Sequence, residues 1–230
     1  MKSFKSKNLA WLVGTMFLDI IVILVLAFPG IVESATLSKA IAVRASFSVF
    51  LPIPSLILAS LLSPNWKACI VFWRISDPLP GTRAFSLHAT QDPRIDLVAL
   101  QKNVGSFPSE ARAQNAKWYA LYKLVASEPS VEESQRIFLL FRDIASVSIV
   151  LVVIIPLGMH VSGLGTTSVL VALLLFLGQY IVTALASRHN GIRFVQNVLA
   201  IHSSRKVPGA KPVAPRAART QAAADKTPVL

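Results

Sequence analysis

His88, Asp92 and Asp96 recur every four residues. On one helix that spacing puts all three on a single face, the arrangement of a metal-ligand set or an acid–base pair. Pro93 interrupts the run. Proline suits the first position of a helix and Asp its N-cap, so the pattern predicts a helix starting at Pro93, capped by Asp92, with His88 outside it. A structural role is therefore expected for the three, and a membrane enzyme built on His88, Asp92 and Asp96 is an alternative reading.

Arg74, Arg83 and Arg94 flank the proline-rich turns of SDPLPG. Guanidinium forks match phosphates and carboxylates, and aromatic rings can stack on a bound ligand. Arg74, Arg83, Phe85, Arg94, Trp118 and Tyr122 are thus the candidates for holding a small ligand or a protein partner. The competing use is local ion pairing with Asp77, Asp92 and Asp96.

Asp19 lies near the middle of an apolar run. A carboxylate at bilayer depth is costly and is expected to face protein or water. It could titrate, line a pore, bind a cation, or be protonated and bond to Ser46, Ser48 or Ser55. Pro52 and Pro54 lie inside a second apolar run, where proline removes a backbone donor and frees a carbonyl. Asp19, Pro52 and Pro54 are the intramembrane candidates.

No nucleophile–base pair, P-loop or glycine-rich nucleotide fingerprint occurs. The single Cys69 excludes an internal disulfide, and four scattered His lack zinc-ligand spacing. No catalytic residue, metal or cofactor is expected.

The elements that must position these residues are set by composition. Of 230 residues 53% are hydrophobic and 15% charged, against roughly a quarter charged in ordinary soluble domains. Four windows are long enough to span a bilayer: about 9–31, 41–62, 144–161 and 166–186. In lipid all must be helical, because an open strand would leave backbone groups unsatisfied. The first window follows a basic start that imitates a signal peptide. Its run from Leu9 to Phe28 exceeds the usual signal length, so an uncleaved first helix is expected.

The formal net charge is +12, and its placement is lopsided. Of the 23 Lys and Arg, only Lys39, between windows one and two, and Arg44, at the start of window two, fall on the opposite side from the rest. The positive-inside rule then puts both termini and the stretch between windows two and three in the cytoplasm. This accounts for the charge without nucleic-acid binding.

The expected fold is an all-α membrane protein with four transmembrane helices in two hairpins. A small, mainly helical cytoplasmic domain is inserted between helices two and three. Residues 1–63 form the first hairpin, 64–142 the insert and 143–187 the second hairpin. Residues 188–202 read as an amphipathic interfacial segment, and 203–230 as a disordered basic Ala/Pro-rich tail.

The insert holds ten aromatics, too many for a disordered segment. NWKACIVFWRI at its start reads as a continuation of span two, and FSLHATQ as an extended start. A helix is predicted over about 109–126 with Ser109 as N-cap. SVEESQRIFLLFRDIASVSIVLV reads as one helix entering the membrane, with Ser130 and Glu133 as a capping box. Arg136, Arg142 and Asp143 mark this coupling helix.

The function expected is that of a non-enzymatic sensor or effector in a bacterial inner membrane. Its cytoplasmic domain would bind a protein or small signal and alter an oligomeric bundle, with a pore or membrane perturbation as output. A docking scaffold for a cytoplasmic partner is the first alternative. The partners expected are the lipid bilayer, further copies of the chain and a cytoplasmic protein.

Overall fold

The computed structural model describes residues 4–27 and 61–209. Among them every regular element is helical. In chain order these are α1 (Phe4–Ala27), α2 (Pro64–Phe72), a run of short helical turns (Pro80–Arg83, Ala84–His88 and Ala89–Gln91), α3 (Leu97–Val104), α4 (Ala111–Leu124), α5 (Pro129–Val161) and α6 (Thr166–Ser204). Two of them, α5 and α6, are long and apolar enough to cross a membrane; α1 adds a shorter apolar stretch, Ala10–Leu26. The second apolar window, Pro52 and Pro54 with it, and the tail from residue 210 lie outside the described residues.

The chain divides into two units. Residues up to Leu79 group with Glu132–Phe194, and Pro80–Val131 groups with residues from Val195 onward. In the first unit, α1, α5 and α6 close on a cluster of Ile23, Val147, Leu151, Ile155, Met159, Ala172 and Phe176. Near its start α1 touches α5 through Asn8 Nδ2, which donates to the Arg136 carbonyl at 2.9 Å. Ile23 then meets the Leu151–Met159 stretch. Both helices advance about 15 residues between these contacts, so α1 and α5 run parallel.

The reversal from α5 to α6 is a Schellman closure. Gly163 N–H bonds the His160 carbonyl and Leu164 N–H the Met159 carbonyl. Gly163 takes φ 73°, where a side chain would be strained. Leu164 packs back on the cluster that contains Met159, the hydrophobic contact that accompanies this motif. Buried hydroxyls on the apolar helices are satisfied within the helix: Ser146 Oγ bonds the Arg142 carbonyl, Ser148 Oγ that of Ile144, and Thr183 Oγ1 that of Gln179. Pro156 sits inside α5 without ending it.

The second unit is built on Leu100, Val104, Leu121, Val125, Val131, Val195, Val198 and Leu199, all buried. Gly81 packs so closely that a Cβ there would lie 2.4 Å from Asn115 Oδ1 and 2.8 Å from the Trp118 ring.

Several local expectations are corrected. NWKACIVF does not read on as a continuation of span two; Leu62 and Ser63 are not helical, and a helix starts after them with Ser63 as N-cap and Pro64 in the first turn. FSLHATQ is helical, not extended. The N-cap of α3 is Asp96, whose carboxylate accepts from Val98 N and Ala99 N, and Asp92 is used elsewhere. The N-cap of α4 is Glu110, one residue past Ser109, with no side-chain cap bond. α5 starts at Pro129, so Ser130 lies in its first turn instead of capping it. Residues 188–202 are not a separate segment but part of α6, which runs unbroken to Ser204.

Candidate functional site

The first unit carries a layer of polar side chains beside its apolar cluster. Asp19 is 2% exposed. It lies against Gln179 of α6, whose buried Nε2 reaches no acceptor at full hydrogen-bonding geometry. The pair is close but loosely aligned. This is the setting expected of a polar group among apolar helices, which turns inward to another polar group.

Toward the N-terminal half of α5, Asp143 accepts from two cations: Lys67 Nζ of α2 at 3.1 Å and Arg142 at 3.0 Å. The Arg142 guanidinium also lies 5.9 Å from the Phe138 ring centre. The coupling-helix candidates Arg142 and Asp143 thus belong to one ion network, and Arg136 contributes its carbonyl to Asn8. Lys67 was not anticipated in this role; its pairing depends on how α2 meets α5.

α2 ends at Trp73, which takes φ 52° in the left-handed region. For a bulky residue that conformation costs about 1–3 kcal/mol and persists only where other contacts hold it. Here the indole Nε1–H donates to Tyr180 Oη at 2.9 Å, and Tyr180 Oη donates to the Ile70 carbonyl at 2.9 Å. The Arg188 guanidinium lies 5.7 Å from the indole centre. Farther along α6, Gly191 allows close approach: a Cβ there would be 2.9 Å from the Phe72 ring and 3.0 Å from Phe138.

The second unit contains the remaining candidates, and most are already engaged. Phe85 is buried and stacks on Phe107, with ring centres 5.0 Å apart. Trp118 is buried and stacks on Tyr122 at 5.8 Å. Arg94 is bidentate on Asp92, at 2.6 Å for its shortest contact, and also reaches Asn197 Oδ1 at 3.1 Å. Arg94 holds the Asp92 carboxyl below the usual carboxylate range, against the opposing effect of burial. Arg83 is half-buried and adds its positive charge to the surroundings of His88. Arg74 belongs to the first unit, so the three arginines do not gather within one unit.

His88, Asp92 and Asp96 are divided among separate tasks. Asp92 serves Arg94, Asp96 caps α3, and the His88 carbonyl accepts from Gln196 at 3.3 Å. Burial, with help from the Arg83 charge, pushes the His88 imidazole down to about 4, opposed by a hydrogen bond with Gln91. Among the described residues no group of three or more His, Cys, Asp or Glu could hold a metal ion.

Three polar residues organise this unit without having been anticipated. Gln114, 2% exposed, accepts on Oε1 from Phe85 N, Ser86 N and Ser86 Oγ, which pins the start of the Ala84–His88 turn. His202, fully buried, places Nε2 3.1 Å from the Leu121 carbonyl, and burial lowers its basicity. Lys117 donates to the Ser106 carbonyl at 2.6 Å and lies 5.7 Å from the Phe85 ring centre; burial lowers its pKa. A signal existed for each: a polar residue on the apolar side of a helical pattern. The tertiary partner that makes it meaningful is distant in sequence.

Compared with known proteins, the chain matches no family, no curated protein and no solved structure.

Proposed function

We propose that the chain is a non-enzymatic integral membrane sensor or effector of a bacterial inner membrane, with four spans and both termini in the cytoplasm. Its helical domain on that side binds a protein or small signal and alters an oligomeric helix bundle. The observation that carries the membrane reading is where the apolar surface lies. A soluble core helix of this length would be mostly buried, yet the most apolar windows of α5 and α6 are 39% and 22% buried. Val153, Leu157, Leu174 and Val182 are each 60% exposed or more, as are Trp11 and Phe17 of α1. Such a surface is stable in lipid and aggregates in water. The lopsided cations give the orientation, and the parallel course of α1 and α5 is what two spans entering from one side require.

The effector part is supported by continuity. α5 and α6 are each one helix, and each is shared between the two units. α5 leads from the polar stretch at its start into its apolar window as one helix. Asp19 is the residue proposed to carry the output.

A docking scaffold is favoured by a different observation. Val98 is 79% exposed and Tyr119 49% exposed, both in the second unit, where apolar exposure suits a protein partner.

Ion flux through vesicles reconstituted with the full chain tests the choice. The effector reading expects flux above that of empty vesicles, reduced at least about tenfold by Asp19→Asn, since the buried carboxylate is its proposed determinant. Absence of flux with the wild-type chain, alongside unaltered capture of a cytoplasmic partner, would sink the effector and leave the scaffold.

A further inference from the structure

We propose that Trp73, Arg74, Tyr180 and Arg188 form a headgroup site for an anionic glycerophospholipid. The proposal rests on the membrane reading above and deepens it by naming a ligand. Trp73 is the hub. Its N–H donates to Tyr180 Oη, and Tyr180 Oη donates to the Ile70 carbonyl, which anchors the indole edge. Arg188 lies against its face. A guanidinium that lies over a ring keeps its N–H edge available for a phosphate.

The cluster is nevertheless open. Trp73 is 50% exposed, and Trp66 and Ile75 on the same short stretch are 62% and 92% exposed. On α6 the exposed apolar residues Ile181, Val182 and Leu185 lead directly to Arg188, which is itself exposed. Exposed indole, apolar surface and cation side by side match the headgroup layer, where Trp settles and cations meet lipid phosphate.

Charge complementarity identifies the occupant as an anion. Asp143 is already shared by Lys67 and Arg142. Arg74 and Arg188 form no ion pair among the described residues. One cation over a held indole and a second at the next position in the chain, beside an apolar face, fit a phosphate that carries acyl chains better than a free one.

Native mass spectrometry of the full chain in neutral detergent tests this, with phosphatidylglycerol and phosphatidylcholine offered in equal amounts. Preferential retention of phosphatidylglycerol is expected, falling about fivefold in Arg188→Gln, the effect of one cation at an anionic surface. Arg188→Lys, which keeps the charge without the planar stack, should fall between them; it decides the matter if Arg188→Gln fails to fold. Equal retention by wild type and a folded Arg188 variant would overturn the site. Displacement of the lipid by millimolar inorganic phosphate would overturn the choice of a lipid. Flotation with phosphatidylcholine vesicles separates the two levels: a wild-type chain that does not float removes the membrane reading itself, whatever Arg188 does.

Discussion

The two units bury their polar groups by different rules. In the second, apolar side chains such as Leu100, Val104 and Leu199 are at most 1% exposed, and Gln114, Lys117 and His202 are buried with a carbonyl or amide partner named for each. In the first, the inward cluster around Leu151, Ile155 and Phe176 is as well buried, but equally apolar residues of the same helices point outward. Burial there sorts side chains by shape and polarity, not by hydrophobicity. The proposed membrane setting accounts for this: water drives leucine inward, whereas lipid is indifferent to it and expels only the polar group.

The sharpest way to break that contrast is to put a charge on each outer surface. Val153 and Val98 are 62% and 79% exposed. Val98→Asp should change stability by no more than about 0.5 kcal/mol, as surface substitutions do. Val153→Asp, central in its apolar window, should cost about 3 kcal/mol of membrane insertion. An insertion assay on the α5 segment reads the second, and equal tolerance at both sites would show that they face the same solvent.

A smaller difference is expected inside the cores. Leu100 and Leu151 are both 0% exposed. Leu100→Ala should destabilise its unit by about 2–5 kcal/mol, the transfer and cavity cost in water. Leu151→Ala forfeits packing but little transfer energy, so roughly 1–2 kcal/mol is expected. Denaturation in detergent, followed by site-resolved hydrogen exchange, would separate the two; a larger loss at Leu151 would contradict the argument.

Acidification sharpens the comparison with the smallest effect. The unfolded His88 takes up a proton near 6.5, whereas the folded imidazole resists until about 4. Between those values the unfolded chain holds more protons, so stability is full above 6.5 and is lost as pH falls toward 4. At pH 5.5 the loss from His88 is on the order of 1 kcal/mol. His202, lowered in the same direction, adds to it. The second unit should therefore loosen first in an acid titration followed by hydrogen exchange, and His88→Gln should flatten its response.

How far the residues alone could be read varied with the distance of the partner. The long helices were legible because an apolar window of 18–20 residues is a property of contiguous chain. The α5 helix was expected to run from polar to apolar sequence, and it does. The single α6 was not, because Gly191 and the cations after Ala186 resemble a boundary. Tertiary packing overrides that: Gly191 is where Phe72 and Phe138 come close. The His88–Asp92–Asp96 spacing was misleading for a related reason. Arg94 is two residues from Asp92 and captures it before any helix can form across Pro93.

Composition and periodicity by themselves indicated helices, four windows apolar enough to cross a membrane, of which two are seen as the long apolar helices α5 and α6, and which residues are costly to bury. They could do so because hydrophobicity and helical spacing are local quantities. Only the tertiary structure decided that Asp19 meets Gln179, that Asp143 gathers Lys67 and Arg142, and that Trp73 is held between Tyr180 and Arg188. Those pairings span 76 to 160 residues of chain for all but the adjacent Arg142–Asp143 contact. No spacing rule reaches that far, because the partner of a polar group is chosen by which helix faces it once the apolar surfaces have packed.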